Sequence, residues 1–319
     1  MPPQRRNLRL EGAEWVRDLL VCCGLDEVIT YSMVDIGDDA KLLRQEVDVA
    51  QYVAIRNPIS SERRHLRRRL LPSVLHMARS NLRFLERVPI FEISRVYHPQ
   101  PDQVLPDEPR RLCIVLTGAR EAPSWLPGQD RSLVDFYDLK GIVEALLDGL
   151  NVQDVTWERG QHAAYHPGRC ARVNVQGTSI GVMGELHPVV REAFGLPEQP
   201  VCALEFDLDL LLQHWTETIE VTSLSVHPPV YEDLALVVDE DVPAVQVRDL
   251  IVQTGGRTLR NVELFDVYRG EQIGAGKKSL AYALTYQADD KTLTDKTVAK
   301  LRKKIVKRLG RELGATLRS

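Results

Sequence analysis

The spacing of apolar positions divides the chain into two parts with different orders of elements. In the first part, apolar residues at three- and four-residue spacing predict helices over 10–23, 70–84 and 138–150. Runs rich in apolar and β-branched residues predict strands at 28–34, 52–55, 88–97, 112–117, 170–175, 179–183 and 201–208. These strands follow one another without regular βαβ alternation, which is typical of a largely antiparallel sheet with helices packed on it.

The second part is shorter and its order is simpler. Strands are predicted over 234–238, 259–268, 279–286 and 315–318, and helices over 244–254 and 294–313. This βαββαβ order indicates a ferredoxin-like domain. We therefore expect an α+β protein whose first domain spans residues 1–222 and whose second spans 223–319.

The composition indicates two globular domains and no membrane span. A length of 319 residues accommodates about two domains of roughly 150 residues each. The 44% of apolar and 27% of charged residues exclude a disordered or collagen-like chain. No apolar run approaches the roughly 20 residues of a membrane helix, and no apolar stretch follows the basic N-terminus. We expect a cytoplasmic protein without a membrane partner.

The five cysteines do not have the spacing of a metal site. Cys22 and Cys23 are adjacent, whereas Cys113, Cys170 and Cys202 stand alone without a C-x-x-C pair. Small buried thiols in a reducing compartment account for them. We therefore expect no metal ligands.

Charge distinguishes the second part from the first. Residues 226–319 hold 16 Lys/Arg against 13 Asp/Glu, whereas the remainder holds 25 against 32. The predicted helix 294–313 concentrates this positive charge opposite its apolar stripe. Four basic residues recur there at helical spacing: Lys300, Lys304, Lys307 and Arg311. Such a row can follow RNA phosphates without reading bases, although a merely solvated helix face remains the alternative.

Aromatic residues of the second part fall into two groups. Tyr268 closes a predicted strand, where its ring could stack on an unpaired base, and we expect the adjacent Arg269 to contact RNA as well. Tyr282 and Tyr286 alternate in register with Leu280 and Leu284, so we expect them in the core.

Short segments spread along the chain carry a resemblance. They occupy positions 24–32, 57–60, 70–72, 91–93, 105–108, 138–141, 166–169, 184–188, 233–240, 264–268, 276–281 and 292–295. In this order, the segments resemble the β subunit of bacterial phenylalanyl-tRNA synthetase over nearly the whole chain. That subunit is much longer, and its N-terminal tRNA-binding and editing domains have no counterpart here. The resemblance implies a fragment or a shortened relative.

The family supplies expectations for fold, activity and partners. It implies a class II synthetase-like antiparallel sheet with flanking helices, followed by a ferredoxin-fold anticodon-binding domain. The module would support a catalytic α subunit in an (αβ)₂ assembly, and the second domain would bind tRNA(Phe) near its anticodon. ATP and Mg²⁺ would serve the holoenzyme in charging tRNA with phenylalanine, with no cofactor in this chain.

The same comparison implies that this chain has no catalytic residues. Class II synthetases hold ATP phosphates with one arginine from each of two motifs. The first aligns with Arg95-Val96-Tyr97-His98-Pro99, so that His98 replaces the arginine. The second aligns with the acidic stretch 203–209, which contains no arginine and whose acids would repel ATP. We therefore expect an inert adenylation site.

Two further sets of residues are candidates for binding. By resemblance, Trp15, Val16 and Leu19 of the predicted helix 10–23 would contact the α subunit, although Trp15 fits its own core equally well. By the same resemblance, Tyr268 would meet the anticodon loop. The basic run 63–69 fits a solvated approach to the next helix better than an RNA site.

Three other functions remain open at this stage. One is a free-standing phenylalanyl-tRNA synthetase, which the two absent arginines disfavour. Another is a ligand-sensing regulator built on the ferredoxin-like domain, for which only the turn Gly274-Ala275-Gly276 offers support. The third is a stand-alone tRNA-binding or regulatory paralogue of the β subunit.

Overall fold

A computed structural model of the chain describes residues 7–58, 60, 62–219, 221 and 223–318, with only the backbone of residue 271. The chain divides into two compact units, Met1–Ile219 and Glu220–Ser319. Thr222, at the boundary expected from the sequence, lies outside the described residues.

The first unit is built on a seven-stranded sheet flanked by helices. The strands are β1 (Asp26–Glu27), β4 (Arg87–Arg95), β5 (Arg110–Gly118), β6 (Val155–Arg159), β7 (Tyr165–Val175), β8 (Thr178–Leu186) and β9 (Val201–Asp207). Their order is β1-β4-β5-β9-β8-β7-β6, and every pair is antiparallel except β1 with β4. A small separate ladder joins β2 (Met33–Val34) to β3 (His65–Leu66).

Six helices cover the two faces of this sheet. They are α1 (Leu8–Cys22), α2 (Ile36–Leu43), α3 (Leu71–Asn81), α4 (Phe136–Gly149), α5 (Pro188–Ala193) and α6 (Leu208–Gln213). Alternate residues of the central strands enter different cores, because successive side chains of a strand point to opposite faces. Ile114 and Leu204 pack with α1, α4 and α6, whereas Cys113 and Ala203 pack with α3.

The sequence predicted the long elements of this unit better than the short ones. The helices α1, α3 and α4 and the strands β4, β5 and β9 lie close to their predicted positions. The predicted strand 28–34 is wrong over most of its length, since only its ends pair. At 52–55 the structure has a single bridge from Ala54 to His65. The short elements α2, α5, α6, β3 and β6 were not predicted.

The second unit has the expected ferredoxin-like topology. Its elements are β10 (Val230–Asp239), α7 (Ala244–Gly255), β11 (Leu259–Tyr268), β12 (Lys277–Tyr286), α8 (Asp295–Leu313) and β13 (Thr316–Leu317). The sheet order is β11-β12-β10-β13, with all pairs antiparallel. Both helices pack on one face, where Tyr282 and Tyr286 are fully buried as predicted. The other face carries no helix in the described part of this unit.

Candidate functional site

The predicted basic row lies on the solvent side of α8. Lys300, Lys304, Lys307 and Arg311 are all exposed, while Val298, Ile305 and Leu309 of the same helix are buried in the core. Arg311 donates to Glu312 over 2.8 Å. The three lysines form no ion pair with any described residue. Their charge is therefore available to an external anion.

Tyr268 has a neighbour that the sequence did not reveal. The guanidinium carbon of Arg318 lies 4.5 Å from the centre of the Tyr268 ring, within the range of a cation–π contact. Arg318 follows β13, and its backbone N–H donates to the carbonyl of Ala235 over 3.0 Å. The contact therefore joins the C-terminal end of the chain to the end of β11, 50 positions earlier in sequence.

The register shows on which side of the sheet this pair lies. Tyr268 is opposite Ser279, and Leu280, the next residue, belongs to the core under the helices. Because neighbours along a strand point to opposite faces, Tyr268 lies on the face away from α7 and α8. The structure therefore does not bring Tyr268 and the α8 row together. They belong to opposite sides of one sheet.

The open face of this sheet has a floor of small side chains. Ala235 of β10 pairs with Ala281 of β12, and Ala283 lies two positions further along the same face. The exposed side chain of Tyr231 lies on this face at the other end of β10. By register the face also carries four acids and one lysine: Asp233, Asp239, Glu263, Asp266 and Lys277. The face therefore offers aromatic and hydrogen-bonding groups rather than strong positive charge.

Arg269, which the sequence placed beside Tyr268 as an RNA contact, is engaged within the protein. Its Nη2 and Nε donate to Glu240 over 2.9 and 3.0 Å. These hydrogen bonds lower the pKa of the Glu240 carboxyl. An RNA phosphate would have to compete with this carboxylate for the guanidinium.

The three residues expected at a subunit interface have different environments. Val16 is fully buried against its own sheet and therefore offers no accessible surface to a partner. Leu19 packs on the same core and touches Gly149, where a Cβ would lie 2.5 Å from its Cδ2. Trp15 is 44% exposed and donates its Nε1–H to the Gly149 carbonyl over 3.0 Å. Trp15 is thus the most exposed of the three residues, and Leu19 is half-buried.

A more exposed apolar pair follows β1. Ile29 is 85% and Tyr31 68% exposed, on either side of Thr30. The Thr30 hydroxyl donates to Glu92 over 2.6 Å and accepts from Arg67 over 2.8 Å. Arg67 and Glu92 form an ion pair of 2.9 Å in which neither side chain is more than 2% exposed. The anchored Thr30 holds its two apolar neighbours towards solvent.

This burial corrects the interpretation of the basic run 63–69. Arg67 was expected in a solvated segment, but its Nε donates to the Arg95 carbonyl over 3.0 Å in addition to the pair with Glu92. No sequence signal indicated that Arg67 is buried, because its acidic partner Glu92 lies 25 positions away.

The synthetase-like site also differs from expectation. His98 lines a cavity of about 270 Å³ together with Arg68, Arg69 and Arg111. The region thus has arginines, although neither aligned motif supplies one. Burial, followed by the charges of Arg68 and Arg111, lowers the pKa of His98. The imidazole is therefore neutral at neutral pH.

The acids at 203–209 are compensated rather than free to repel an anion. Asp207 accepts from Arg111 over 2.5 Å, and Asp209 accepts from Arg110 over 2.8 Å. Glu205 accepts the backbone N–H groups of Leu70 and Leu71 over 3.1 and 3.0 Å. The expected repulsion of ATP by these acids is therefore not a sound argument for inertness.

The described residues hold neither a candidate metal site nor a candidate membrane span. Within them, no group of three or more His, Cys, Asp and Glu side chains is arranged to hold a metal ion. Likewise, none of the described helices has the length and hydropathy to cross a membrane.

Family models match both parts of the chain. A model described as the phenylalanyl tRNA synthetase beta chain CLM domain matches residues 1–208. A second model, described as the ferredoxin-fold anticodon binding domain, matches residues 225–318.

Individual relatives extend this similarity to the full chain. The phenylalanine–tRNA ligase beta subunit of Syntrophotalea carbinolica is 37% identical over 321 residues, which cover 100% of this chain and 39% of that protein. The corresponding subunit of Symbiobacterium thermophilum is 38% identical over 305 residues, which cover 95% and 34%. The chain therefore spans less than two-fifths of the length of these curated relatives.

Among solved structures, pyrrolysyl-tRNA synthetase from Desulfitobacterium hafniense is similar in fold. It superposes with a TM-score of 0.50 over 67% of this chain and 75% of that chain, at 18% sequence identity. At this identity the likeness concerns the fold alone, which is that of a class II synthetase module.

Proposed function

The chain belongs to the family of phenylalanyl-tRNA synthetase β chains, and on that basis we propose that it is the part of the β subunit that supports the catalytic α subunit and binds tRNA(Phe) near its anticodon. The observation that carries this proposal is the pairing of two family matches, 1–208 and 225–318, in one chain. Neither family match supports a stand-alone regulatory role.

We propose that the RNA is engaged from both sides of the second unit by different groups. Bases of the anticodon loop would lie on the open face, where the Tyr268 ring offers a stacking surface backed by Arg318. The acids of this face cannot attract phosphates. Long-range attraction would instead come from the exposed lysines of α8, which follow the backbone without reading sequence.

For the α subunit we propose a docking surface in the first unit. It comprises Trp15 on α1 together with Ile29 and Tyr31 beyond β1. Aromatic and branched apolar side chains of this kind provide large contact area at a small cost in conformational entropy. Val16 and Leu19 would support the surface from beneath through the α1 core.

The chemistry would belong to the assembled enzyme. We propose that ATP and Mg²⁺ act at the α subunit during tRNA charging in the cytoplasm, and that this chain alone is inactive. The absence of an arginine at His98 and in the stretch 203–209 supports inactivity. The acids of this stretch do not support inactivity, because arginines and backbone N–H groups compensate their charge.

The mass of a complex tests the partner proposal. The full chain would be mixed with the α subunit of a bacterial phenylalanyl-tRNA synthetase and analysed by size exclusion with light scattering. We expect a stable complex that contains both chains, and its loss when Ile29→Glu and Tyr31→Glu are combined. A matched variant, Val104→Glu with Leu105→Glu, changes two exposed apolar residues elsewhere and should still form the complex. Two separately eluting proteins would refute the proposal.

A further inference from the structure

The cavity of about 270 Å³ in the first unit has features of a ligand site that the proposed function does not use. It opens beside the N-terminal end of α3, on the sheet face that carries Glu205 and Val182. Its volume is just below the roughly 300–1,000 Å³ of pockets for drug-sized ligands. A ligand the size of an amino acid fits this volume better than a nucleotide does.

One wall of the cavity is positively charged. Arg68, Arg69 and Arg111 all line it, and two of them have acidic partners: Asp39 for Arg69 and Asp207 for Arg111. Arg68 has no acidic partner among the described residues. It donates to Gln51 and to the Nδ1 of His98, and it lies 5.6 Å from the centre of the Tyr52 ring. Arg68 is therefore the guanidinium with an unmet charge.

The positive charge of this wall also lowers the pKa of the two histidines that line the cavity. Burial is the largest cause that lowers the pKa of His98, followed by the charges of Arg68 and Arg111. His162 shows the same direction, with burial first and Arg69 second. Both rings are neutral at neutral pH, so they do not add to the positive charge but can hydrogen-bond to a ligand.

Two polar groups in the cavity have unused hydrogen-bonding capacity. Tyr165 is only 3% exposed, yet its hydroxyl forms no hydrogen bond with any residue that the structure describes. A hydroxyl that lines the cavity without a protein partner can hydrogen-bond to a ligand there. Glu205 uses Oε2 for two backbone N–H groups, and within the described chain its Oε1 accepts no hydrogen bond.

We propose that this cavity binds a small α-amino acid with an apolar side chain. Its carboxylate is held by Arg68, its ammonium group by Glu205 and the Tyr165 hydroxyl, and its side chain by the apolar residues Leu71 and Val182. Because Arg68 and Glu205 carry opposite charges at different places in the cavity, the cavity should bind a zwitterion more tightly than a simple anion. Binding involves no chemical step, and it requires neither the α subunit nor tRNA.

The test uses the full chain with ¹³C-labelled methyl groups, so that the methyl signals of Leu71 and Val182 indicate binding in the cavity. The probes are L-leucine, L-leucinamide, which lacks the carboxylate charge, and inorganic phosphate. We expect L-leucine to shift these methyl signals in a saturable way, and the other two probes to leave them unchanged at equal concentration. L-Leucine would be added at millimolar concentration, up to a 50-fold excess over the protein. The proposal would be overturned if the methyl signals did not shift, or if phosphate bound as well as L-leucine.

Two substitutions separate binding from folding. Tyr165→Phe removes only a hydroxyl without a partner, so the fold should persist while L-leucine binds about two- to tenfold more weakly. Arg68→Gln should weaken binding at least about tenfold, and Arg68→Lys should restore part of it. Arg169→Gln, outside this cavity, is the matched control and should bind normally. Unchanged affinity in both Tyr165→Phe and Arg68→Gln would refute the assignment.

Discussion

Arg318 stacks on Tyr268 with its guanidinium carbon 4.5 Å from the ring centre, and this contact spans the open face of the second unit. A cation over an aromatic ring is attracted by about 0.5–2 kcal/mol, which is enough to hold the ring in place. The pair therefore gives the proposed RNA surface a preset aromatic group. A ring that is already oriented loses less conformational freedom when a base stacks on it.

Replacement of the Tyr268 ring is predicted to weaken cognate binding. Tyr268→Ala in the full chain should cost roughly 1–3 kcal/mol in binding the anticodon stem–loop of tRNA(Phe), the scale of one base stack. Tyr268→Phe keeps the ring and should bind almost as the parent does. Fluorescence anisotropy with a labelled stem–loop measures both. Equal affinity for the parent and Tyr268→Ala would remove Tyr268 from the site.

Loss of the Arg318 guanidinium is predicted to act through Tyr268. Arg318→Gln alone should weaken stem–loop binding, but in the Tyr268→Ala background it should have little further effect, because the two residues act as a pair. A double-mutant cycle on affinity measures this coupling. Fully additive losses would show that Arg318 contacts the RNA independently of the ring.

The lysines of α8 are predicted to contribute affinity without specificity. Lys300→Glu combined with Lys304→Glu should weaken binding of any tRNA and reduce the slope of log K against log salt by about one unit per lost phosphate contact. Arg83→Glu with Arg172→Glu is a matched charge change on exposed residues of the first unit. That control should leave the slope almost unchanged. An identical slope for all three proteins would exclude α8 from the RNA contact.

Periodicity predicted α8 well but could not locate it relative to Tyr268. The apolar residues Val298, Ile305 and Leu309 indicated the buried side, and the lysines therefore had to face solvent. The face on which Tyr268 lies depends on the β-bulge in the pairing of β11 with β12 at Leu264/Asp266. Such a bulge shifts the alternation by one residue and has no sequence signal in a strand of this composition.

The buried ion pair of Arg67 and Glu92 is predicted to be important for stability. Glu92→Gln leaves a guanidinium buried without its counter-charge, which typically costs about 3–5 kcal/mol of the free energy of unfolding. The same change should loosen the segment around Thr30 and so weaken α-subunit binding. Urea unfolding measures the first effect and complex formation the second. Arg95→Gln, which removes the exposed ion pair with Glu108, is the control and should cost at most about 1 kcal/mol.

The pKa of His98 predicts a pH dependence of stability. Since burial lowers this pKa in the folded state below its usual 6.5, the unfolded chain binds the proton more readily in the window below about pH 6.5. Stability should therefore decrease as the pH falls through that window. His98→Gln should flatten this part of the profile in denaturant unfolding measured from pH 5 to 8. A parent and variant with the same dependence would show that His98 does not contribute.

Sequence alone also could not separate interface from core on α1. Trp15, Val16 and Leu19 share one apolar spacing, but Val16 is buried by α4, α6 and the sheet, whose positions follow from the whole fold. Ile29 and Tyr31 lay in a predicted strand, in which side chains alternate between two faces. Residues two positions apart share a face, and an apolar pair is then expected on the buried one. The hydrogen bonds of Thr30 that orient both side chains outward are made with Arg67 and Glu92, which lie 37 and 62 positions further along the chain.

The most direct test of the account is a footprint of the tRNA(Phe) anticodon stem–loop on the full chain. Hydrogen–deuterium exchange would be measured with and without the RNA, at a salt concentration where binding is saturated. We predict slower exchange along 261–268 and around 316–318, with smaller changes in α8, and a smaller effect on all three segments for Tyr268→Ala at the same RNA concentration. Protection confined to α8, or to the first unit, would contradict the assignment of the open sheet face as the RNA site.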